Sequence, residues 1–252
     1  MKKQHIRTVI IALALITSAN VLLRFLRKIW CDECIEILIV SKIILAVISI
    51  GFVLKYGFRK KLRDGMRVFS IWTLVAFALV VMAFIQMERI ILPTNISTTE
   101  NIKFLIFNLS TGFFEEVFFR IFVFYFILQS MRNIDHALWK TTLWTSICFG
   151  FAHVTNLLSG LDFLSLVLLI LFATVVGIIL QGIYIRTKSL VLVIVLHGLI
   201  NYFGTYKSVL IKSMEYVETS EWNRLFGTLI FIGLLFLIFV LPIRRYLISS
   251  KV

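Results

Sequence analysis

Between Phe104 and Leu128 the chain reads FLIFNLSTGFFEEVFFRIFVFYFIL, an apolar run whose only charges are Glu115, Glu116 and Arg120. Roughly 20 apolar residues are what a helix needs to cross about 30 Å of hydrocarbon. Lipid offers no partner to a bare N–H or C=O, so a spanning segment of this kind is helical. The three charges are what such a helix has to explain. An unpartnered carboxylate near the bilayer centre costs between about 3 and more than 10 kcal/mol, so ionisable groups at that depth mark a site.

The rest of the chain has the same character. With 60% hydrophobic residues, 24 Phe and only 2 Pro in 252 residues, it carries more apolar surface than one soluble core could hide. Apolar segments recur at 8–23, 35–54, 68–87, 104–128, 141–158, 163–185, 189–206 and 226–243. The predicted fold is all-α: a polytopic helical membrane protein of about eight transmembrane helices around a buried polar active site. Short connections, with no repeat or low-complexity tract, predict a single domain over 1–252, its motif-bearing core at about 104–206.

The net charge of +13 is unevenly placed. Most Lys and Arg fall in alternate connections: Lys2, Lys3 and Arg7; the block from Lys55 to Arg67; Arg132 and Lys140; Arg186 and Lys188; Arg244, Arg245 and Lys251. This is the positive-inside bias, and it predicts a multi-pass cell-membrane protein with both termini cytoplasmic. The block at Lys55–Arg67 then orients the chain and meets anionic headgroups of the membrane lipids. The charge is accounted for without a nucleic-acid partner. Thr17-Ser18-Ala19 is a poor signal-peptidase site inside an apolar run that continues to Leu23, so the first helix is expected to be retained. Residues 93–100 and 207–224 read as external connections.

Cysteine is sparse. Cys31 and Cys34 form a lone CxxC, open to a local disulfide, to incidental spacing or, lacking a second pair, weakly to zinc. Cys148 reads as a small apolar filler. His5 and His136 fall at cytoplasmic edges. His153 and His197 fall within apolar helices, in Phe149-Gly-Phe-Ala-His153 and His197-Gly-Leu-Ile-Asn201. Either histidine alone would read as an interhelical hydrogen-bonder. Three helices each carrying a polar cluster predict that the clusters converge, since each would otherwise need separate satisfaction in lipid.

Helical geometry divides the roles. Glu116 and Arg120, spaced i, i+4, share a face and can pair, as mutual neutralisation rather than net stabilisation. Glu115 points about 100° away, toward a different neighbour, and stays available for chemistry. The alternative makes all three a buried clamp. Phe149 shares a face with His153 and walls it off. His197 and Asn201 share a face and can aim donors at one developing oxyanion; otherwise Asn201 bonds a neighbouring helix.

The ordered set EExxxR, FxxxH and HxxxN, here Glu115-Glu116…Arg120, Phe149…His153 and His197…Asn201, resembles the CAAX protease and bacteriocin-processing family, also called Abi, of intramembrane proteases. The resemblance implies peptide-bond hydrolysis in the membrane. By it Glu115 is the general base for water, His153 orients that water, His197 and Asn201 stabilise the oxyanion, and Glu116 and Arg120 support Glu115. No cofactor is expected. Zn²⁺ held by Glu115, His153 and His197 stays open as the alternative, although no HExxH is present. The implied partner is a peptide or membrane-associated protein: a prenylated CAAX terminus for eukaryotic relatives, or, for the bacterial branch that the composition suggests, a substrate in peptide maturation or bacteriocin self-immunity. Two rivals from other classes are a non-catalytic immunity or scaffold protein and a proton-coupled transporter. The chain lacks the inverted repeat and Pro-broken half-helices such transporters often show.

Overall fold

The computed structural model describes residues 35–55, 97–210 and 221–250. Among them every regular element is helical: α1 (Ile35–Lys55), α2 (Thr98–Glu116), a π-helical segment (Val117–Val123), α3 (Phe124–Met131), α4 (Ala137–Ala152), a 3-10 segment (His153–Ser159), α5 (Phe163–Thr187), α6 (Leu190–Leu210), α7 (Glu221–Leu235), a second π-helical segment (Phe236–Val240) and α8 (Leu241–Ser249). The expected segments at 35–54, 104–128, 141–158, 163–185, 189–206 and 226–243 fall on these helices. Those at 8–23 and 68–87, with His5, Cys31, Cys34 and the basic residues from Arg59 to Arg67, lie outside the described residues.

Two stretches, Phe163–Thr187 and Leu225–Ser249, are long and apolar enough to cross a membrane, and Leu190–Thr205 is a shorter apolar helix. The exposed faces speak for lipid as well. On α1, Ile37, Val40, Ile43, Ile44, Val47 and Ile48 are exposed, whereas Leu38, Ala46 and Ser49 are buried. α7 likewise exposes Phe226, Ile230 and Leu234. Apolar stripes of this extent on the outside are not how a soluble helix is arranged.

Backbone contacts divide the described residues into two compact units: a first of 35–55, 97–118 and 183–210, and a second of 119–182 and 221–250. In the first unit, α2 starts where Ser97 and Glu100 form a capping box. The Glu100 N–H donates to Ser97 Oγ at 3.1 Å and the Ser97 N–H donates to Glu100 Oε2 at 3.1 Å, which satisfies two donors that a helix start leaves bare. The hydrogen bonds from the Ser97 side chain, then its backbone, hold the Glu100 carboxyl below the ordinary carboxylate value. α1 runs alongside α2 in the same direction. An exposed Lys103–Glu36 pair at 2.7 Å joins them near their starts.

α2 meets α6 through two glycines. A Cβ on Gly112 would lie 2.8 Å from the Ile194 carbonyl oxygen and 2.9 Å from the Gly198 nitrogen, and one on Gly198 would lie 3.0 Å from Leu109 Cα. Only hydrogen fits there. Small residues that let backbones touch are the means by which helices associate in lipid, where burial of apolar surface supplies little drive.

The second unit is built around aromatic and small residues. Phe118 precedes it and Phe119, Ile121, Phe122 and Val123 open it, all buried. Phe122 and Phe126 stack with centroids 4.9 Å apart. Thr141, Thr142, Thr145 and Ser146 make one buried face of α4, with Ser146 close against Gly177 of α5. α4 also packs on α3 and α8. The π turn at Phe236–Val240 has an evident cause: Pro242 stands at the start of α8, and in an uninterrupted α-helix its ring would clash with the carbonyl four residues back. The π turn at Val117–Val123 has no proline. Such widened turns concentrate at functional positions, and this one begins directly after Glu116.

Candidate active site

Three side chains come together in the first unit. Glu115 and Glu116 close α2, and the α2–α6 glycine contact brings His197 beside them. His197 Nδ1 lies 2.8 Å from Glu116 Oε1, and its Nε2 lies 3.5 Å from Glu115 Oε2. The Glu116 and His197 side chains are buried, at 0% and 3% exposure, whereas Glu115 is 23% exposed. An ionised carboxylate only accepts hydrogen bonds, so Nδ1 donates to Glu116. That bond sets the ring's tautomer and leaves Nε2 as the edge facing Glu115. Asn201 follows one turn later on α6, half-buried. Its carbonyl accepts a bond from Thr205 Oγ1 at 2.6 Å.

This geometry corrects one expectation. Glu115 and Glu116 do not address different neighbours: both carboxylates reach the same imidazole, through its two nitrogens. A turn of 100° between consecutive residues is small enough for one ring with two polar edges to span. Glu116 also has a partner on another helix, the hydrogen bond from His197, and the turn that follows it, Val117–Val123, is π-helical and closes i→i+5.

The other motif residues belong to the second unit. Arg120 is buried, with Cζ 5.3 Å from the centroid of the Phe149 ring, a cation–π arrangement. Phe119 meets the same ring edge-on at 5.1 Å. His153 meets it at 5.1 Å and 86°. His153 caps α4 where the helix tightens into the 3-10 segment. Its Nδ1 is 3.0 Å from the Phe149 carbonyl oxygen. A carbonyl cannot donate, so Nδ1 carries the proton and Nε2 of the neutral ring is an acceptor. Phe149 therefore orders two polar residues, more than the wall expected from its spacing.

Of the residues outside the catalytic candidates, Cys148 is a free, partly buried thiol and His136 is exposed. Lys42 is the residue that motif reading missed. From α1 its Nζ donates to Thr111 Oγ1 and stands 4.3 Å from the centroid of Phe107. The signal was a lone ionisable residue within an apolar segment.

Zinc was left open for Glu115, His153 and His197. Glu115 and His197 lie together in the first unit and His153 in the second, and among the described residues no group of three or more His, Cys, Asp and Glu is placed to hold a metal ion.

Comparison with known proteins gives one match. The family model described as type II CAAX prenyl endopeptidase Rce1-like matches residues 97–203. No curated protein and no solved structure matches the chain. The matched stretch runs from the Ser97 cap to just beyond Asn201 and contains Glu115, Glu116, Arg120, Phe149, His153 and His197. Residues 97–203 of this membrane protein are therefore similar to the Rce1-like type II CAAX prenyl endopeptidases, a family of proteases.

Proposed function

We propose that the chain is a glutamate-type intramembrane peptidase in which Glu115 activates water. The observation that carries the reading is the His197 imidazole set between a buried Glu116 and a partly exposed Glu115. Glu116 holds the ring by Nδ1, and the reaction uses the ring with both nitrogens protonated, so that Nε2 has an N–H to offer. Glu115, the more accessible acid, takes a proton from water as the oxygen attacks the substrate carbonyl. The oxyanion accepts hydrogen bonds from His197 Nε2–H and the Asn201 side-chain amide. Collapse of the adduct breaks the C–N bond, and the proton held by Glu115 passes to the departing amine, so that protons and charge balance over the cycle. By resemblance His153 orients the attacking water, and the Phe149 carbonyl fixes the tautomer it would use.

The substrate side follows the same reading: a lipid-associated peptide, cut in peptide maturation or bacteriocin self-immunity in a bacterial membrane, by a multi-pass protein with cytoplasmic termini. The test uses purified protein in nanodiscs with a library of hydrophobic peptides, prenylated and not, read by mass spectrometry. Glu115→Gln is expected to lower cleavage by about 10²- to 10⁴-fold, the range of a lost general base. His197→Ala and Asn201→Ala should each cost about 10²- to 10³-fold, as for one oxyanion donor. Cleavage that persists in Glu115→Gln defeats the proposal. A cellular phenotype that survives in the same variant favours the scaffold role, and loss of cleavage to a chelator with rescue by zinc favours a metal enzyme.

A further inference from the structure

Thr141, Thr142, Thr145 and Ser146 form one face of α4, and each is fully buried. Their side-chain oxygens have no hydrogen-bond partner among the described residues. Other helices treat such residues differently. Ser110 and Thr111 donate to the Phe107 carbonyl, Ser130 to that of Phe126, Thr174 to that of Ile170 and Thr187 to that of Ile183, the back-bond by which a helix satisfies its own hydroxyls. Gln181 of α5 is a second and independent departure: it is fully buried, and neither its amide nitrogen nor its amide oxygen has a partner among the described residues. Register brings the two together. A Cβ on Gly150 would stand 2.8 Å from the Ile170 carbonyl oxygen, and one on Gly177 would stand 3.1 Å from Ser146 Cβ, so α4 and α5 run antiparallel with Ser146 against Gly177. Gln181 shares the face of Gly177, four residues on. About 6 Å further along α5, it comes level with Thr142. α8 covers the same level, where a Cβ on Gly182 would stand 2.8 Å from Ile243.

Four hydroxyls and one amide supply both donors and acceptors but no charge. That decides what fits beside them. An ion would meet no opposite charge among these groups, and an apolar guest would leave every one of these atoms unpaired. Water both donates and accepts, and a buried water usually makes about three hydrogen bonds to polar groups of this kind. We propose that water molecules bind between the Gln181 amide and the α4 hydroxyls and form a supply line for the hydrolytic water. The line has a source and a destination. Toward the start of α4, Arg132, Asn133, Asp135 and His136 are exposed, and Thr142 stands about 9 Å from His136 along the helix. In the other direction His153, read above as orienting the attacking water, follows Ser146 by about 10 Å. Between them stands the Phe149 ring, whose Cδ1 would lie 3.2 Å from a Cβ on Gly177 and which His153 meets edge-on. The supply role rests on the hydrolase reading, whereas the binding of water does not.

X-ray radiolysis tests the site, because it makes hydroxyl radicals where water is bound and oxidises the side chains beside it. The full chain in nanodiscs is pulsed in ordinary and in heavy-oxygen water, and mass spectrometry reads oxidation at Ile179 and Leu180, both 0% exposed. Side chains so buried are labelled by water held inside the protein. Labelling that takes up the heavy oxygen is expected in the wild type, with its loss in the double variant Thr142→Val, Gln181→Leu. Thr142→Val alone keeps the shape of the side chain and should weaken the labelling, whereas Thr142→Ser keeps the hydroxyl and should preserve it. Turnover should follow: Thr142→Val lowers kcat for peptide cleavage and leaves KM unchanged, and Thr142→Ser restores it. An unlabelled wild type makes this interface a dry contact, and labelling that persists in the double variant means that other groups hold the water; either result overturns the proposal. Loss of labelling with kcat unchanged overturns the supply role. If the labelling behaves as expected and the wild type cuts no peptide, the water site stands and the hydrolase reading falls.

Discussion

The two units hold their ionisable residues in different ways. In the first, partners are remote in sequence: His197 and Glu116 are 81 residues apart, Lys42 and Thr111 are 69 apart, and each contact joins two helices. In the second, His153 leans on a carbonyl four residues back, and Arg120 and His153 share the one Phe149 ring. A polar group in an apolar medium can be satisfied across a helix interface or within its own helix. The first arrangement makes the His197 contact depend on tertiary packing, and the second makes the His153 contact depend on the local turn of α4, while Arg120 reaches the Phe149 ring from another helical element.

The largest effect expected from this contrast belongs to His197→Ala. It takes a donor from a fully buried carboxylate, and leaving a buried acceptor short of a partner costs about 1–3 kcal/mol, more when the acceptor is charged. His153→Ala removes a bond to a backbone carbonyl at a half-buried position and should cost only about 1 kcal/mol of stability while impairing cleavage. Thermal unfolding in detergent measures both, and comparable losses from the two substitutions would erase the distinction between the units.

Next comes Gly112→Ala. Its Cβ meets backbone atoms of α6 at 2.8 and 2.9 Å, so α2 and α6 must move apart, at about 1–3 kcal/mol. Activity should fall too, because the same contact sets His197 beside the glutamates. Gly233→Ala in the second unit, where nothing lies within 4 Å of the added carbon, should leave both unchanged. Equal tolerance at the two glycines would mean that the close crossing does not organise the site.

The smallest effect lies at the rim. Ser97→Ala removes the cap of α2, worth about 1 kcal/mol, and should speed amide hydrogen exchange in the first turn only. Glu100 adds a pH dependence. Its folded value is lowered, so its contribution is complete above the ordinary carboxylate value and disappears as pH falls through the lower folded one. First-turn exchange at mildly acid pH, compared with Glu100→Gln, measures it. Exchange that does not respond to acid would rule out the capping box.

Much of the site was legible because its residues follow helical spacing. Glu115 and Glu116, Phe149 and His153, and His197 and Asn201 each sit in a run whose period and apolar content announce a helix, and a charge in such a run is conspicuous. Lys42 was equally conspicuous as a charge but had no motif to give it a role. The bond from His197 to Glu116 was not legible, since nothing in a span of 81 residues states which face of α6 meets α2. The π turn at Val117–Val123 was hidden too: without a proline, the sequence there reads as ordinary helix.

Composition and period alone determined an all-helical chain in an apolar medium, with carboxylates and imidazoles inside it, because lipid forces backbone groups into helices and penalises every stray charge. Which polar groups meet was decided by the tertiary structure. The bare backbones at Gly112 and Gly198 let α2 and α6 touch, and that approach, shorter than any side chain allows, is what puts one imidazole between two glutamates.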